Sequence, residues 1–243
     1  DAGSVSNGTV PLVWIAGGGL TTQTVAVGVS VDGGKTWTNS VATGVPATNG
    51  WAEWTVADLP DTPAAAWRVV LESDTNVWSQ STNFFAIRNG PLNLYVATPD
   101  TNEALYVVAP GATNNWRATP DAPLNSLRTA FDRFDLEPGD RIWVDPGTYE
   151  EADAIRIWMK DSGTSNSPVR VTGDTNRPFA GTVFKRTSRT VGAYGFELIQ
   201  SDGLAFDSFM VSNTFSGFQI DSGGNVALER VRAGYCVSNA VYA

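Results

Sequence analysis

Histidine is missing altogether from the 243 residues, and cysteine occurs once, at Cys236. Without imidazole, a serine hydrolase triad cannot be assembled and most zinc sites lose their commonest ligand. A lone cysteine excludes an intrachain disulfide. No run approaches about 20 apolar residues, so no membrane-spanning helix is expected. Charge is sparse, at 17% of residues, and basic charge sparser: 16 Lys and Arg face 25 Asp and Glu, for a net charge of −9. Such a balance offers no electrostatic footprint for nucleic acid or an anionic membrane. What remains plentiful is Gly, Ser, Thr and Asn, together with nine Trp. That mixture favours strands and turns over long helices.

Near the C-terminus the chain almost repeats itself. Residues 195–212 align without a gap on residues 217–234, an offset of 22. Phe196 falls on Phe218, Leu198 on Ile220, Leu204 on Val226, Phe206 on Leu228 and Phe209 on Val231. Cys236 takes the place of Thr214, and a third copy is expected to open at Asn239-Ala240-Val241. A period of about this length with short apolar doublets marks a stacked β-coil.

The rest divides in two. Residues 1–90 read as one all-β unit, with strands predicted at Val10–Ala16, Val25–Val31, Thr36–Val41, Trp51–Val56, Ala66–Glu72 and Asn83–Arg88. Turn clusters such as Asp32-Gly33-Gly34 and Asn49-Gly50 separate them. Short strands at this spacing predict a β-sandwich. Residues 91–103 have the composition of a linker, and residues 104–243 form the second domain. There Leu105–Val108 is a predicted strand, and Leu124, Leu127, Phe131 and Phe134 place a helix at 124–136 between Pro123 and Gly139. A strand from Asp140 runs into the turn Asp145-Pro146-Gly147-Thr148-Tyr149, and Asp174–Arg189 is expected to include a loop thrown out of the stack.

Ala122-Pro-Leu-Asn-Ser-Leu, the amphipathic helix, Pro138-Gly-Asp and Asp145-Pro-Gly-Thr-Tyr together resemble the entry cap of right-handed parallel β-helix proteins of the pectate-lyase-like type. Ser162-Gly-Thr-Ser-Asn-Ser-Pro-Val-Arg-Val resembles the segment that follows that cap in polysaccharide lyases of the alginate-lyase and chondroitinase-B type. The first segment resembles immunoglobulin-like modules of bacterial enzymes and surface proteins. The resemblance implies an all-β chain: an N-terminal immunoglobulin-like β-sandwich, then a short, truncated right-handed parallel β-helix with an N-terminal capping helix. It implies an extracellular or cell-surface bacterial protein directed at glycans, the N-terminal part of a secreted lyase-like protein. In those lyases the catalytic residues lie on later coils, so none is assigned here. The chain begins at Asp1 rather than Met, which fits removal of a leader or excision from a longer chain.

Elimination from a uronate chain needs a base and a cation beside the substrate carboxylate. Lys185, Arg186, Arg230, Arg232 and Tyr235 are the substrate-binding candidates in the repeats, and Trp51 and Trp54 are candidate sugar-stacking residues of the first domain. Their structural alternatives are a solvated outer face and a sandwich core. Asp207 and Glu229 occupy equivalent places on successive coils. Stacked carboxylates repel, so they are expected to share a proton, to bind Ca²⁺ or to be screened by Arg230. No other cofactor is expected. Ser30-Val-Asp32-Gly-Gly-Lys-Thr36-Trp37 matches the Asp box of sialidase-like propellers. It occurs once where a propeller needs about four blades, so it reads as a hairpin device. A non-catalytic surface or adhesive protein is the alternative, with head-to-tail self-association into filaments through an open coil edge.

Overall fold

The structure, a computed structural model, describes residues 4–5, 8–56, 59–115 and 117–242. It is all-β, and two compact units meet in sequence between Gly90 and Pro91.

The first unit contains β1 (Ser4–Val5), β2 (Gly8–Val13), β3 (Thr24–Ser30), β4 (Asn39–Pro46), β5 (Trp51–Val56), β6 (Thr62–Leu71), β7 (Trp78–Gln80) and β8 (Phe85–Ile87). One sheet has the order β1-β8-β6-β3-β4, with β7 also on β6, and β2 pairs antiparallel with β5 in a second layer. Alternation explains the core. Val25, Val27 and Val29 of β3 and Val69 of β6 face Leu12, Trp54 and Val56 of the pair. The Asp-box segment is a turn after β3. Asp32 accepts hydrogen bonds from the Thr36 amide and hydroxyl at 2.9 and 2.7 Å, and from the Ser30 hydroxyl at 2.7 Å. Trp37 donates from Nε1 to the Gly34 carbonyl, under the Arg68 guanidinium.

The second unit is a stack of parallel strands with three faces. The first face holds β9 (Asn93–Val96), β10 (Arg141–Val144), β13 (Val169–Thr172) and the leading halves of β16 (Asp202–Ser212) and β18 (Gly224–Gly234). The second holds β11 (Gly147–Glu151), β14 (Thr182–Arg186) and the trailing halves of β16 and β18. The third holds β12 (Ile155–Trp158), β15 (Tyr194–Ile199), β17 (Ser216–Asp221) and β19 (Val241–Tyr242). All five aligned pairs of the 22-residue repeat are register partners. Thr214 and Cys236 are also neighbours, with Oγ1 and Sγ 3.3 Å apart. The next coil gains one residue: Phe218 pairs with Val241, not with Ala240.

Four bends turn each repeat, and all four use left-handed backbone. Gln200 matches Ser222, Gly203 matches Asn225, Ser208 matches Arg230 and Asn213 matches Tyr235, with φ between 50° and 61° throughout. The bend at Ser208 lets both Phe206 and Phe209, three apart, point inward. Inside, Phe196 stacks on Phe218 at 5.0 Å between ring centroids and 10° between planes, and meets Phe184, Phe206 and Phe209 edge-on or tilted.

The cap helix is shorter than its apolar spacing predicts: α1 spans Leu127–Arg133. Leu124 instead bridges to Val96 in β fashion, and Ser126 and Phe134 are extended. Both flanks bury their apolar side chains without helical geometry. Leu127, Ala130 and Phe131 cover β9 and β12. Lys160 reaches the carbonyls of Phe131 and Phe134 at 2.7 Å each, closing the end of the helix with a cation.

Two further expectations need correction. Residues 91–103 are not a linker, because β9 lies within them and pairs with β10. Leu105–Val108 is not a strand: its Leu105 and Tyr106 amides turn onto the buried Asp145 carboxylate. The segment Asp174–Arg189 does include a loop outside the strands, residues 174–181, after which β14 rejoins the stack beside β11. The Asp145 turn is structural. Tyr149 is buried and donates to the Asp145 carbonyl at 2.9 Å. Gly147 has φ +144°, and a Cβ there would lie 2.5 Å from Thr98 Cγ2.

Candidate functional site

The outer side of the first face gathers the charged and aromatic side chains. Leu94, Val96, Ile142, Val144, Val169, Val171, Leu204 and Phe206 point inward and are buried. Period-two alternation therefore sends their neighbours outward. Register sets these in two rows across the strands. One row runs Asn93, Arg141, Arg170, Ala205, Ala227, and the other Tyr95, Trp143, Thr172, Asp207, Glu229.

Trp143 lies at the centre of the upper part. The Arg141 guanidinium sits over its ring at 4.7 Å, the Tyr106 ring approaches to 4.8 Å, and its Nε1 donates to Asn93 Oδ1 at 3.0 Å. Tyr106 comes from the loop tied to Asp145: its amide donates to that carboxylate at 2.6 Å and its hydroxyl donates to the Gly173 carbonyl at 2.7 Å. Burial pushes the Asp145 carboxyl up, while the amides of Tyr106 and Leu105 oppose the rise. The Thr172 hydroxyl, next in the row, is buried and has no hydrogen-bond partner among the described residues. The neighbouring loop is fastened by Arg177, which bonds Asp174 at 2.9 Å and Glu103 at 2.7 Å.

Lower on the face lie two ion pairs of different character. Asp207 is nearly buried and takes two bonds from Arg230, at 2.9 and 2.6 Å, and one from the Ser208 hydroxyl at 2.8 Å. The left-handed backbone of Arg230 interrupts the strand alternation and separates it from Arg232. Glu229 instead makes a single 3.2 Å contact with Arg170, two strands away. On the intervening strand Arg170 lies beside Ala205 and Glu229 beside Asp207, so the contact runs diagonally across β16.

The structure thus brings Asp207, Glu229 and Arg230 together and scatters the other candidates. Arg232 pairs in register with Met210 on the second face, and the exposed Tyr235 sits at a bend beyond it. Lys185, also on the second face, is exposed and bound to Glu150 at 3.0 Å. Arg186 is a correction: it is buried and spends Nη1 on the Glu151 carbonyl. Trp54 is another, because its ring packs against Phe85 in the first unit's core. Trp51 is half-exposed on the opposite side of β5. The Asp207–Glu229 stack is compensated by arginines, as screening by Arg230 predicts for the first carboxylate. Among the described residues, no group of three or more His, Cys, Asp or Glu side chains is placed to hold a metal ion. No helix of the described residues is long and apolar enough to cross a membrane.

Arg141, Trp143, Arg170 and Tyr106 are the residues that sequence reasoning missed. Alternation in Arg141-Ile-Trp-Val and Val169-Arg-Val marks three of them as outward. Only strand register, across loops of unequal length, makes them neighbours. A shallow cleft in the first unit between β4 and β5 is bordered by Val41, Glu53 and Leu59. It brings no comparable set of cations together. No family model, curated protein or solved structure matches this chain.

Proposed function

We propose that the protein is an extracellular, glycan-directed protein that binds an acidic polysaccharide along the outer first face of its second unit. In this reading the second unit is a right-handed parallel β-helix of the pectate-lyase-like type, and the first is an immunoglobulin-like β-sandwich that accompanies it. One observation carries the proposal. In a chain of net charge −9, Arg141, Arg170 and Arg230 are concentrated on one sheet face together with Trp143 and Tyr106.

Guanidinium groups suit planar carboxylates, to which they can donate paired hydrogen bonds. Aromatic edges and faces suit the C–H surfaces of sugar rings. Neighbouring strands are about 4.8 Å apart, a step close to the length of one sugar unit. Successive uronates laid across the strands would therefore meet successive arginines. The two carboxylates on the face are engaged by arginines, so neither stands as a ready general base. Binding is accordingly the better-supported activity, and turnover is the outcome that the same assay can reveal.

The test is calorimetric titration with polygalacturonate and alginate oligomers, with neutral xylan oligomers as the comparison, at rising salt. The expected result is uronate binding that weakens with salt and falls about ten-fold or more in Arg141→Gln. Equal affinity for the neutral chain, or no uronate binding, would overturn the proposal. Appearance of an ultraviolet-absorbing unsaturated product would add elimination to it.

A further inference from the structure

The two ion pairs on the first face differ in a way that separates support from occupancy. Asp207 is 8% exposed and held by three hydrogen bonds from Arg230 and Ser208. Removing it would take a nearly buried carboxylate away from both Arg230 and Ser208. Arg170 and Glu229 share one 3.2 Å contact, with side chains 26% and 52% exposed. That contact runs diagonally across the intervening strand, from the neighbour of Ala205 to the neighbour of Asp207. An exposed pair of this kind gains little from its Coulomb attraction and is easily opened. In register, Arg170 is also the immediate neighbour of Arg141. Released from Glu229, it would stand beside a second guanidinium and next to the Trp143 row.

Resting on the acidic-glycan reading, we infer that Glu229 is an internal stand-in for a ligand carboxylate, which occupies Arg170 until a uronate displaces it. The chemistry of the stand-in names the ligand group: a planar carboxylate on a flexible, solvent-exposed arm. Glu229 then sets the threshold of binding, and Arg170 makes the contact with the glycan. Asp207 keeps Arg230 in place and does not exchange.

The test compares wild type, Glu229→Gln, Arg170→Gln, the double variant and Glu150→Gln by titration with galacturonate oligomers. Glu150 is 63% exposed and pairs with Lys185 on the second face, so Glu150→Gln makes the same change in net charge away from the site. Glu229→Gln is expected to bind about two- to five-fold more tightly, the range that an exposed pair can return. Glu150→Gln should stay near wild type. Arg170→Gln should bind more weakly, and in its background Glu229→Gln should give no gain. Unchanged thermal unfolding of each variant accompanies the comparison. Wild-type binding with no gain, or a loss, in Glu229→Gln overturns the stand-in while leaving the glycan reading intact. An equal gain in Glu150→Gln also overturns it, since generic charge then suffices. No binding by any variant overturns both. Binding that emerges only in Glu229→Gln supports both.

Discussion

Phe196 is the side chain on which the interior of the second unit turns. It is fully buried, stacked on Phe218 and in edge-on or tilted contact with Phe184, Phe206 and Phe209. Burial of about 150–200 Å² of aromatic surface at about 25 cal/mol per Å² is a transfer term of about 4–5 kcal/mol. Phe196→Ala retains only the Cβ share of it, loses the ring–ring contacts and leaves a cavity between rigid strands. The expected cost is about 4 kcal/mol, in the range for such truncations. A unit of about 150 residues has a total stability of roughly 8–20 kcal/mol, so the variant should fold. Its melting midpoint should drop by about 8–16 °C. Phe196→Leu, which keeps most of the volume, should lose about 1.5 kcal/mol or less. Hydrogen exchange of peptides from residues 194–221 in rising urea reads the loss locally. A cost below about 1.5 kcal/mol for the alanine variant would refute the enclosure of Phe196 between stacked coils.

Gly147→Val should destabilise the same unit by about 3 kcal/mol or more, since it joins a glycine-only backbone conformation to a 2.5 Å collision with Thr98. An unchanged thermal transition would show that the turn is placed wrongly. Burial raises the Asp32 carboxyl, but hydrogen bonds from Ser30, Thr36 and the turn amides outweigh it and bring it from an ordinary value of 3.8 down to about 2. Because that value is depressed on folding, its stabilisation is present above about pH 4 and is lost as pH falls toward 2. Asp32→Asn should therefore flatten the acid dependence of the first unit's unfolding, and an unaltered profile would count against the turn. Tyr235 is 76% exposed with left-handed backbone, where the preceding coil has Asn213. Tyr235→Asn should stabilise by about 0.5–1 kcal/mol by relieving that strain, measured by chemical denaturation, and a loss would reverse the assignment.

The repeat of residues 195–238 was readable because neither copy carries an insertion, so equal spacing and stacked register coincide. Earlier coils hid themselves. Between Val144 and Val169, and between Val96 and Arg141, the spare residues go into the turn after Trp158, the cap and the loops around it. The linker error has this origin. Asn93–Val96 is too short to announce itself and becomes a strand only because Arg141–Val144 lies beside it. The helix was overdrawn because Leu124 and Phe134 fit helical spacing, although tertiary pairing claims the first and extended backbone the second. The adjacency of Asp207 and Glu229 was visible from the repeat. Their arginine partners were only half visible: Arg230 is adjacent in sequence to Glu229, whereas Arg170 is brought to Glu229 by folding. Tyr106 had no local signal at all, because a buried carboxylate 39 residues away sets its position.

The recurrence of left-handed bends has a consequence for growth. Each 22-residue segment carries its own four left-handed bends, its inward aromatic or aliphatic residues and its outward carboxylate. Such a segment can be duplicated in tandem without redesigning a neighbour, because the new copy inherits the angles that close the polygon. Every duplication would extend the stack by about 4.8 Å and add one more carboxylate to the outward row that Asp207 and Glu229 begin.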